Sequence, residues 1–388
     1  MEKVKLSDII QETITGEWGT DIKKDENDVY VIRTADFCND GTINYDKVEK
    51  RNIAEKKIKE KSLVIGDIII EKSGGTDKNP VGRVVLFDKE NYKCLANNFT
   101  QVLRVKNEYY YKYIFYQLFY KYKCGATLQM FNQTTGIQNL QMKIYLNQKL
   151  NTYIKEEQIE IANKLDKVQE IIDIRKKQIE ELEQLIKSQF VEMFGNENFE
   201  KKTLYDITSK ITDGSHNPPS GIAENLGYMM LSSQNVINDK INYDNARYLR
   251  KEDFEKENAR TDLKNGDVLL TIVGTVGRTA IISNEKNITL QRSVAVLKPI
   301  KEIKSEYLVG ALKSDDVVKQ LNKGAKGVAQ KGIYLNDLKK LMIPVPPIEL
   351  QNKFAEFVKQ IDKQKFEIQK NLEEMQKLQE SLMNKYFG

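Results

Sequence analysis

Apolar residues recur at alternating steps of four and three along two stretches of this chain. In the first they are Ile161, Leu165, Val168, Ile172, Ile179 and Leu182; in the second they are Phe354, Val358, Ile361, Ile368, Leu372 and Met375. Polar residues interrupt each series, Arg175 in the first and Lys365 and Gln379 in the second. Such alternation keeps one narrow apolar seam on a single side of a helix. About 37 residues of it would run roughly 55 Å, longer than an ordinary globular helix. The other faces are nearly all Lys, Glu, Gln and Asn, which a helix buried all round does not tolerate. The seams therefore predict two long helices that pair with each other, the polar seam positions fixing register and direction at some cost in stability. A long helix packed on its own domain is the alternative reading.

The two stretches are copies. Displaced by 193 positions without a gap, residues 156–195 and 349–388 share ten of forty residues. Among the matches are Gln158 with Gln351, Ala162 with Ala355, Leu185 with Leu378, and the closing Phe194-Gly195 with Phe387-Gly388. A repeat of this length marks a duplicated half-molecule, so the regions before each helix should repeat as well. Gly66-Asp67 before Ile68-Ile69-Ile70 is echoed by Gly266-Asp267 before Val268-Leu269-Leu270, and Val81-Gly82-Arg83 by Val276-Gly277-Arg278. Gln101-Val102-Leu103-Arg104 matches Ala295-Val296-Leu297-Lys298, Tyr113 matches Tyr307, and Gly136-Ile137 matches Gly332-Ile333.

Before the first helix, short β-type runs with turn signals predominate, as at residues 29–33, 63–70, 81–87 and 100–105. Residues 109–122 are densely aromatic and helical in pattern. Interleaved with Lys112, Lys121 and Lys123, these rings suit either a base-stacking surface or a helix packed on a sheet. Ile343-Pro344-Val345-Pro346-Pro347 predicts a stiff extended linker that admits no helix before Ile348. In the first copy Ile144-Tyr145-Leu146-Asn147 takes that place. The expected organisation is a first globular domain over 1–150, a first long helix over 151–195, a second domain over 196–347 and a second long helix over 348–388. The expected fold class is α+β: two similar α/β domains separated by two long helices that pair as an antiparallel coiled coil, related by a pseudo-two-fold.

Composition narrows the function. With 388 residues, 40% hydrophobic and 30% charged, the chain is globular and too long for one ordinary domain. No apolar run approaches the 18 or so residues of a membrane span, and the opening Met1-Glu2-Lys3-Val4-Lys5-Leu6 lacks the apolar core of a signal peptide, so the expectation is a soluble intracellular protein. Three cysteines without metal-ligand spacing and a single histidine disfavour a zinc site or His-based catalysis. The helical blocks hold 13 basic and 17 acidic residues and the rest of the chain 48 and 39, so the excess of positive charge sits on the globules. Basic globules on acidic struts suit a polyanion partner.

Two similar readers on a rigid spacer suit a two-part target, much as dimeric DNA binders suit spaced half-sites. Because the copies differ, their half-sites should differ. Polar loops without apolar period are the candidate readers, since they approach phosphates with backbone N–H groups and bases with amides or guanidinium groups. In the first globule the candidates are Lys72, Lys78, Arg83, Gln129, Asn132, Gln133, Thr134, Thr135 and Gln138. In the second they are Ser215, His216, Asn217, Thr275, Arg278, Lys323, Lys326, Gln330 and Lys331. Each could equally be a turn or a solvated loop residue, and the matched Arg83 and Arg278 could share a structural hydrogen bond.

The order of elements, the Gly274-Thr275-Val276-Gly277-Arg278 loop, Gln291-Arg292-Ser293-Val294-Ala295, Asp213-Gly214-Ser215-His216-Asn217-Pro218-Pro219 and the proline-rich run before the second helix resemble the specificity subunit of a type I restriction-modification system. The resemblance covers the whole chain; the first half departs most, having neither the Asp-Gly-Ser-His loop nor the proline run. It implies a non-catalytic subunit in which each globule is a target recognition domain reading one half of a bipartite sequence in double-stranded DNA. The paired helices would then act as a ruler and as the docking surface for two methyltransferase subunits, which use S-adenosylmethionine to methylate adenine. ATP-dependent restriction subunits can join such a complex. No cofactor belongs to this chain on that reading, and its place is the prokaryotic cytoplasm.

Two other readings compete. Asn217-Pro218-Pro219 resembles the base-holding motif of amino-methyltransferases, but Ser220 stands where that motif has an aromatic, and Gly274 and Gly277 lead into a β run where a cofactor-binding turn would lead into a helix. A coiled-coil scaffold without a DNA role would account for the seams but not for two varied, basic globules. Acid pairs such as Asp315-Asp316 read as solvated helix residues.

Overall fold

A computed structural model of the chain describes residues 2–134, 136–195, 199–283, 285–324 and 332–388. It divides into two compact units, Met1–Arg175 with Asn371–Gly388, and Lys176–Lys370.

In the first unit the strand Ile68–Glu71 is apolar at three successive positions and buried on both faces. Period-2 alternation then sorts its side chains. Ile68 and Ile70 join a core with the helix Tyr111–Lys123, while Ile69 joins Val85 and Val102 in a second core. The sheet is wholly antiparallel and runs Ile10–Thr15, Thr100–Val105, Ile68–Glu71, Val84–Leu86. A three-stranded sheet of Glu49–Asn52, Asp28–Ile32 and Cys94–Ala96 covers the second core, its last two strands parallel. The second unit repeats this order: Thr208–Asp213, Val294–Pro299, Val268–Thr271 and Thr279–Ile281 in one sheet, Arg247–Tyr248, Met229–Leu231 and Ile288–Leu290 in the other, with the last pair again parallel.

The long helices are Lys155–Phe194 and Ile348–Phe387. Each unit holds a segment of both. In the first unit Ile161, Ala162 and Leu165 share a core with Met383 and Phe387, and the Gln379 amide donates to Gln169 at 2.7 Å. In the second, Phe190 meets Phe354 with ring centroids 5.4 Å apart, and Lys365 pairs with Glu183 at 2.8 Å. Residues advance along one helix as they retreat along the other, so the pair is an antiparallel coiled coil. None of the twelve apolar seam positions is exposed. Lys365 lies in the seam at 8% exposure, and its ion pair makes that position tolerable.

The repeated residues now acquire reasons. Gln158 accepts from the Tyr110 N–H at 2.8 Å and donates to the Tyr153 carbonyl at 2.8 Å. Gln351 accepts from the Lys304 N–H at 2.9 Å and donates to the Pro346 carbonyl at 2.9 Å. In both units one buried amide caps the helix that follows the sheet, satisfying an orphan N–H, and ties it to the start of a long helix. Tyr113 donates to the Asn151 carbonyl and Tyr307 to the Pro344 carbonyl, on the strand just before each long helix. Phe387 packs on Tyr113 with centroids 5.4 Å apart, and Phe194 on Tyr307 at 5.0 Å. The closing phenylalanines thus do the same work twice.

Of the two readings of the aromatic run the packed helix is the one found, with Tyr113, Ile114, Phe115, Tyr116 and Leu118 buried and Lys112 and Tyr116 both bonded to Asp166. Two expectations change. The proline-rich linker is in part a strand, Met342–Pro344, paired with Lys201–Thr203. Its counterpart in the first copy is Lys149–Thr152, paired with Glu2–Lys5, because Ile144-Tyr145-Leu146-Asn147 lies in the short helix Met142–Asn147. Finally, Gly332-Ile333 corresponds to Asn139-Leu140 and not to Gly136-Ile137: the Ile333 N–H donates to the Ile272 carbonyl as the Leu140 N–H donates to the Lys72 carbonyl.

Replacing Gln351 by Ala leaves a buried N–H and carbonyl unpaired and should cost about 1–3 kcal/mol; Gln158→Ala should cost a similar amount. Urea unfolding followed by helical circular dichroism reads both, and unchanged midpoints would remove the clamp from the account. Leu372→Pro, inside the second long helix at a buried seam position, should cost about 3 kcal/mol or more and lower the helical signal before any denaturant is added.

Candidate functional site

Strand register brings the candidate loops of the second unit to one rim. Asp213 lies opposite Ala295, Thr271 opposite Val294 and Leu270 opposite Thr279, so residues 214–221, 272–278 and 291–293 all leave the four-stranded sheet at the same edge. The turn at 232–235 joins them, because the Gln291 N–H donates to the Leu231 carbonyl and the Ser233 N–H to the Ser293 hydroxyl. Gly332 bridges Val273 at the same edge. Close packing explains Gly214, where a Cβ would sit 2.0 Å from the Leu290 carbonyl oxygen.

On this rim the Asp213 carboxylate accepts from Arg260 at 2.5 Å and lies 2.9 Å from His216 Nε2, which pins the start of the loop. His216, Asn217 and Thr275 are exposed. Arg278 is exposed too, and among the described residues nothing engages its guanidinium; its backbone is held instead, the N–H by the Thr271 hydroxyl at 2.9 Å and the carbonyl by the Thr271 N–H at 2.9 Å. Ser215 is 6% exposed, its backbone bonded on both sides to residues 290–292, so it builds the rim and offers little to a partner. Lys323 is exposed in the last turn of the helix Asp315–Gly324. Lys326, Gln330, Lys331 and Thr135 lie outside the described residues.

In the first unit the same edge carries residues 16–27, 72–83 and 97–99. The strands Phe131–Thr134 and Ile137–Leu140 form a hairpin that adds to Ser73–Gly74. Asn132 and Gln133 are exposed on it, with Asn132 accepting from the Gln141 amide, and Thr134 closes its first strand. Gln129 and Lys78 are exposed nearby in sequence. Lys72 is half-buried, and burial together with the Lys61 charge holds its ammonium below the usual lysine range.

Two candidates of this unit are corrected. Arg83 pairs at 2.7 Å with Glu71, itself 2% exposed, donates to the Thr34 carbonyl at 3.0 Å and covers the Phe37 ring. Gln138 is 3% exposed and accepts from the Val81 N–H at 3.1 Å. Both hold the protein together. Arg83 and Arg278 share a place in the strand plan but not a bond: the first meets Glu71, whereas Thr271 stands at that position beside the second.

A cleft that no periodicity in the sequence marks lies on the second unit's rim. The turn at 232–235, residues 245–247 and residues 291–293 enclose a polar hollow of about 370 Å³ lined by Ser233, Gln234, Asn245, Arg247, Gln291 and Ser293 among others. Its only advance sign was the polar run Ser232-Ser233-Gln234-Asn235 directly after apolar Met229-Met230-Leu231. Nothing in that run announces which amides point outward.

Gly274 and Gly277 lead into the strand Thr279–Ile281 and not into a helix, the wrong sequel for a nucleotide-binding turn. Among the described residues no group of three or more His, Cys, Asp or Glu could hold a metal ion, and no helix is long and apolar enough to cross a membrane.

Comparison with known proteins gives a consistent result. The family model described as type I restriction modification DNA specificity domain matches residues 1–184 and again 196–377. The MjaVIII type I restriction enzyme specificity subunit of Methanocaldococcus jannaschii is 28% identical over 294 residues, 70% of this chain and 68% of that one. The EcoBI specificity subunit of Escherichia coli is 33% identical over 127 residues, 32% of this chain and only 27% of that protein's length. In fold, the chain resembles the type I restriction-modification S subunit from M. genitalium with a TM-score of 0.58 at 16% identity, covering 100% of this chain and 96% of that one. A chain from a structure of type I R-M complex assembly and conformational transition gives 0.53 at 15% identity, covering 100% and 97%.

The two matched arginines should separate cleanly on substitution. Arg83→Ala strands the buried Glu71 carboxylate and should cost about 3 kcal/mol or more in stability, measured by chemical denaturation. Arg278→Ala should leave stability unchanged while lowering the slope of log affinity for duplex DNA against log salt by about one. Equal stability losses for both would show that Arg278 is structural as well.

Proposed function

The chain belongs to the type I restriction-modification DNA specificity family, which makes it a non-catalytic DNA-recognition subunit, and from that premise we propose that each of its units reads one half of a bipartite duplex target. The observation that carries this reading is one scaffold built twice with different rims. Strand order, buried glutamine clamp and Tyr–Phe contact recur, whereas the rims share little: a polar hairpin with Asn132 and Gln133 in one, His216, Asn217, Thr275 and Arg278 in the other. Equal scaffolds with unequal rims are what two unlike half-sites require. On this proposal 1–150 and 196–347 are the target recognition domains, and the helices 151–195 and 348–388 set the gap between half-sites.

The helices also serve as the docking surface for two methyltransferase subunits. Leu185 and Leu378 occupy equivalent places in the repeat, off the seam, and are 45% and 42% exposed. Two copies of one partner need two copies of one surface, and exposed apolar side chains away from the seam mark such a place. S-adenosylmethionine is held by those partners, this chain contributing no cofactor site, and ATP-dependent restriction subunits join where the system also cleaves. The complex works on DNA in the prokaryotic cytoplasm.

Mapping N6-methyladenine in a host that carries this chain with its methyltransferase, and in one from which the chain is deleted, tests the reading. A split motif of two short, different sequences around a fixed gap, lost on deletion, is expected. An identical methylation pattern in both hosts, together with duplex binding by the purified complex that does not weaken with salt, would favour a scaffold instead.

A further inference from the structure

We infer that the polar cleft of the second unit is the base-reading site for its half-site, with Gln234, Asn245 and Gln291 as the side chains that contact base edges. The inference rests on the proposed reading of a bipartite duplex target and says where, on one unit, the reading is done.

Among the described residues no hydrogen bond engages the side-chain amides of Gln234, Asn245 or Gln291, although all three border one hollow of about 370 Å³. Behind them the walls are held firmly. Asn235, 2% exposed, accepts from the Ser232 N–H and donates to the carbonyls of Asn242 and Asp244. Arg247 donates to the Pro219 carbonyl at 2.8 Å, and Ser293 accepts from the Ser233 N–H at 3.0 Å. Free donors and acceptors on a fixed frame are the arrangement that recognition of a polar edge demands. None of the cleft's lining residues is acidic, so nothing in its wall repels a phosphate-flanked ligand.

The first unit differs from the second at the equivalent positions. The turns at 233–235 and 34–36 follow the same strand, and in each the last side chain accepts from the N–H of the residue before the turn, Asn235 from Ser232 and Asp36 from Arg33. Ser232, Gln234, Asn235, Arg247, Thr271 and Gln291 correspond there to Arg33, Ala35, Asp36, Glu49, Glu71 and Asn97. Arg33 bonds to both Asp36 and Glu49, and Arg83 reaches from Glu71 to the Thr34 carbonyl. Those two arginines are engaged by acids there. In the second unit every one of those acids is replaced, by Asn235, Arg247 and Thr271, and the space stands open with amides around it. The residues that line it therefore belong to the part of the unit that differs between the copies.

An amide presents a donor and an acceptor side by side, the pattern that matches adenine N7 and N6 in the major groove. The second half-site should therefore contain at least one adenine set by this cleft.

The full chain, assembled with its methyltransferase subunits, is given a duplex library with randomised positions, and methylated products are sequenced. Gln234→Ala with Gln291→Ala should lower the preference for the favoured base at one or two positions of one half-site about tenfold or more, while the other half-site and the gap stay as in the parent. That unchanged half-site reports that the chain still folds and assembles. Gln291→Glu keeps size and loses the donor, and should move the preference at its position from adenine toward cytosine, whose N4 amino group donates. Both half-sites retained at full discrimination in the double variant, or an equal decline at both with no shift of preference in Gln291→Glu, would overturn the cleft as the reader. If the parent complex itself yields no split motif, the bipartite reading falls and this inference with it.

Discussion

Two 40-residue helices with apolar seams cannot remain apart in water, and their mutual burial is the constraint on which the rest depends. Each fully buried Leu, Ile or Phe is worth about 1.5–3 kcal/mol relative to exposure, and seven of the twelve seam positions are buried while none is exposed. The consequence reaches beyond the helices. Because each unit includes a segment of both helices, neither core closes without residues distant in sequence: Met383 and Phe387 complete the core around Tyr113, as Phe190 and Phe194 complete the one around Tyr307. Polar seam pairs then select register. Gln169 with Gln379 and Glu183 with Lys365 would be separated by a slip of one turn, stranding a buried charge and an amide at a cost that apolar contacts alone would not impose.

Much of this was legible in the sequence because it depends on periodicity. The 4-3 spacing named the seam residues, the 193-residue displacement announced two copies, and Gly-Asp followed by an apolar triplet located the central strands of both sheets. What could not be read is as informative. Gln158 and Gln351 were visible as a repeated identity, yet their role depends on carbonyls and N–H groups contributed by other segments. Arg83 and Gln138 looked like surface readers, since polar residues in a glycine-containing loop usually are; only the register that sets Glu71 beside Arg83, and Val81 beside Gln138, shows them to be internal ties. The short helix Met142–Asn147 and the strand Lys149–Thr152 shifted one alignment by several residues, because a proline run suggested the boundary in one copy and nothing did in the other.

The contrast between the units shows how a duplicated scaffold diverges without losing its fold. Residues that face the seam, the glutamine clamps and the central strands answer to contacts that either copy must make, so change there is penalised in stability. Rim positions answer only to each other. Glu71 and Arg83 form a buried pair that would be costly to break singly, whereas Thr271 lets Arg278 turn outward, with Thr271 instead holding the Arg278 N–H and the Thr275 carbonyl. The same local backbone therefore supports two electrostatic states, one sealed and one open. One acid exchanged for a neutral residue, Glu71 for Thr271, is enough to convert an internal tie into an arginine that nothing engages among the described residues, while the frame around it stays unchanged.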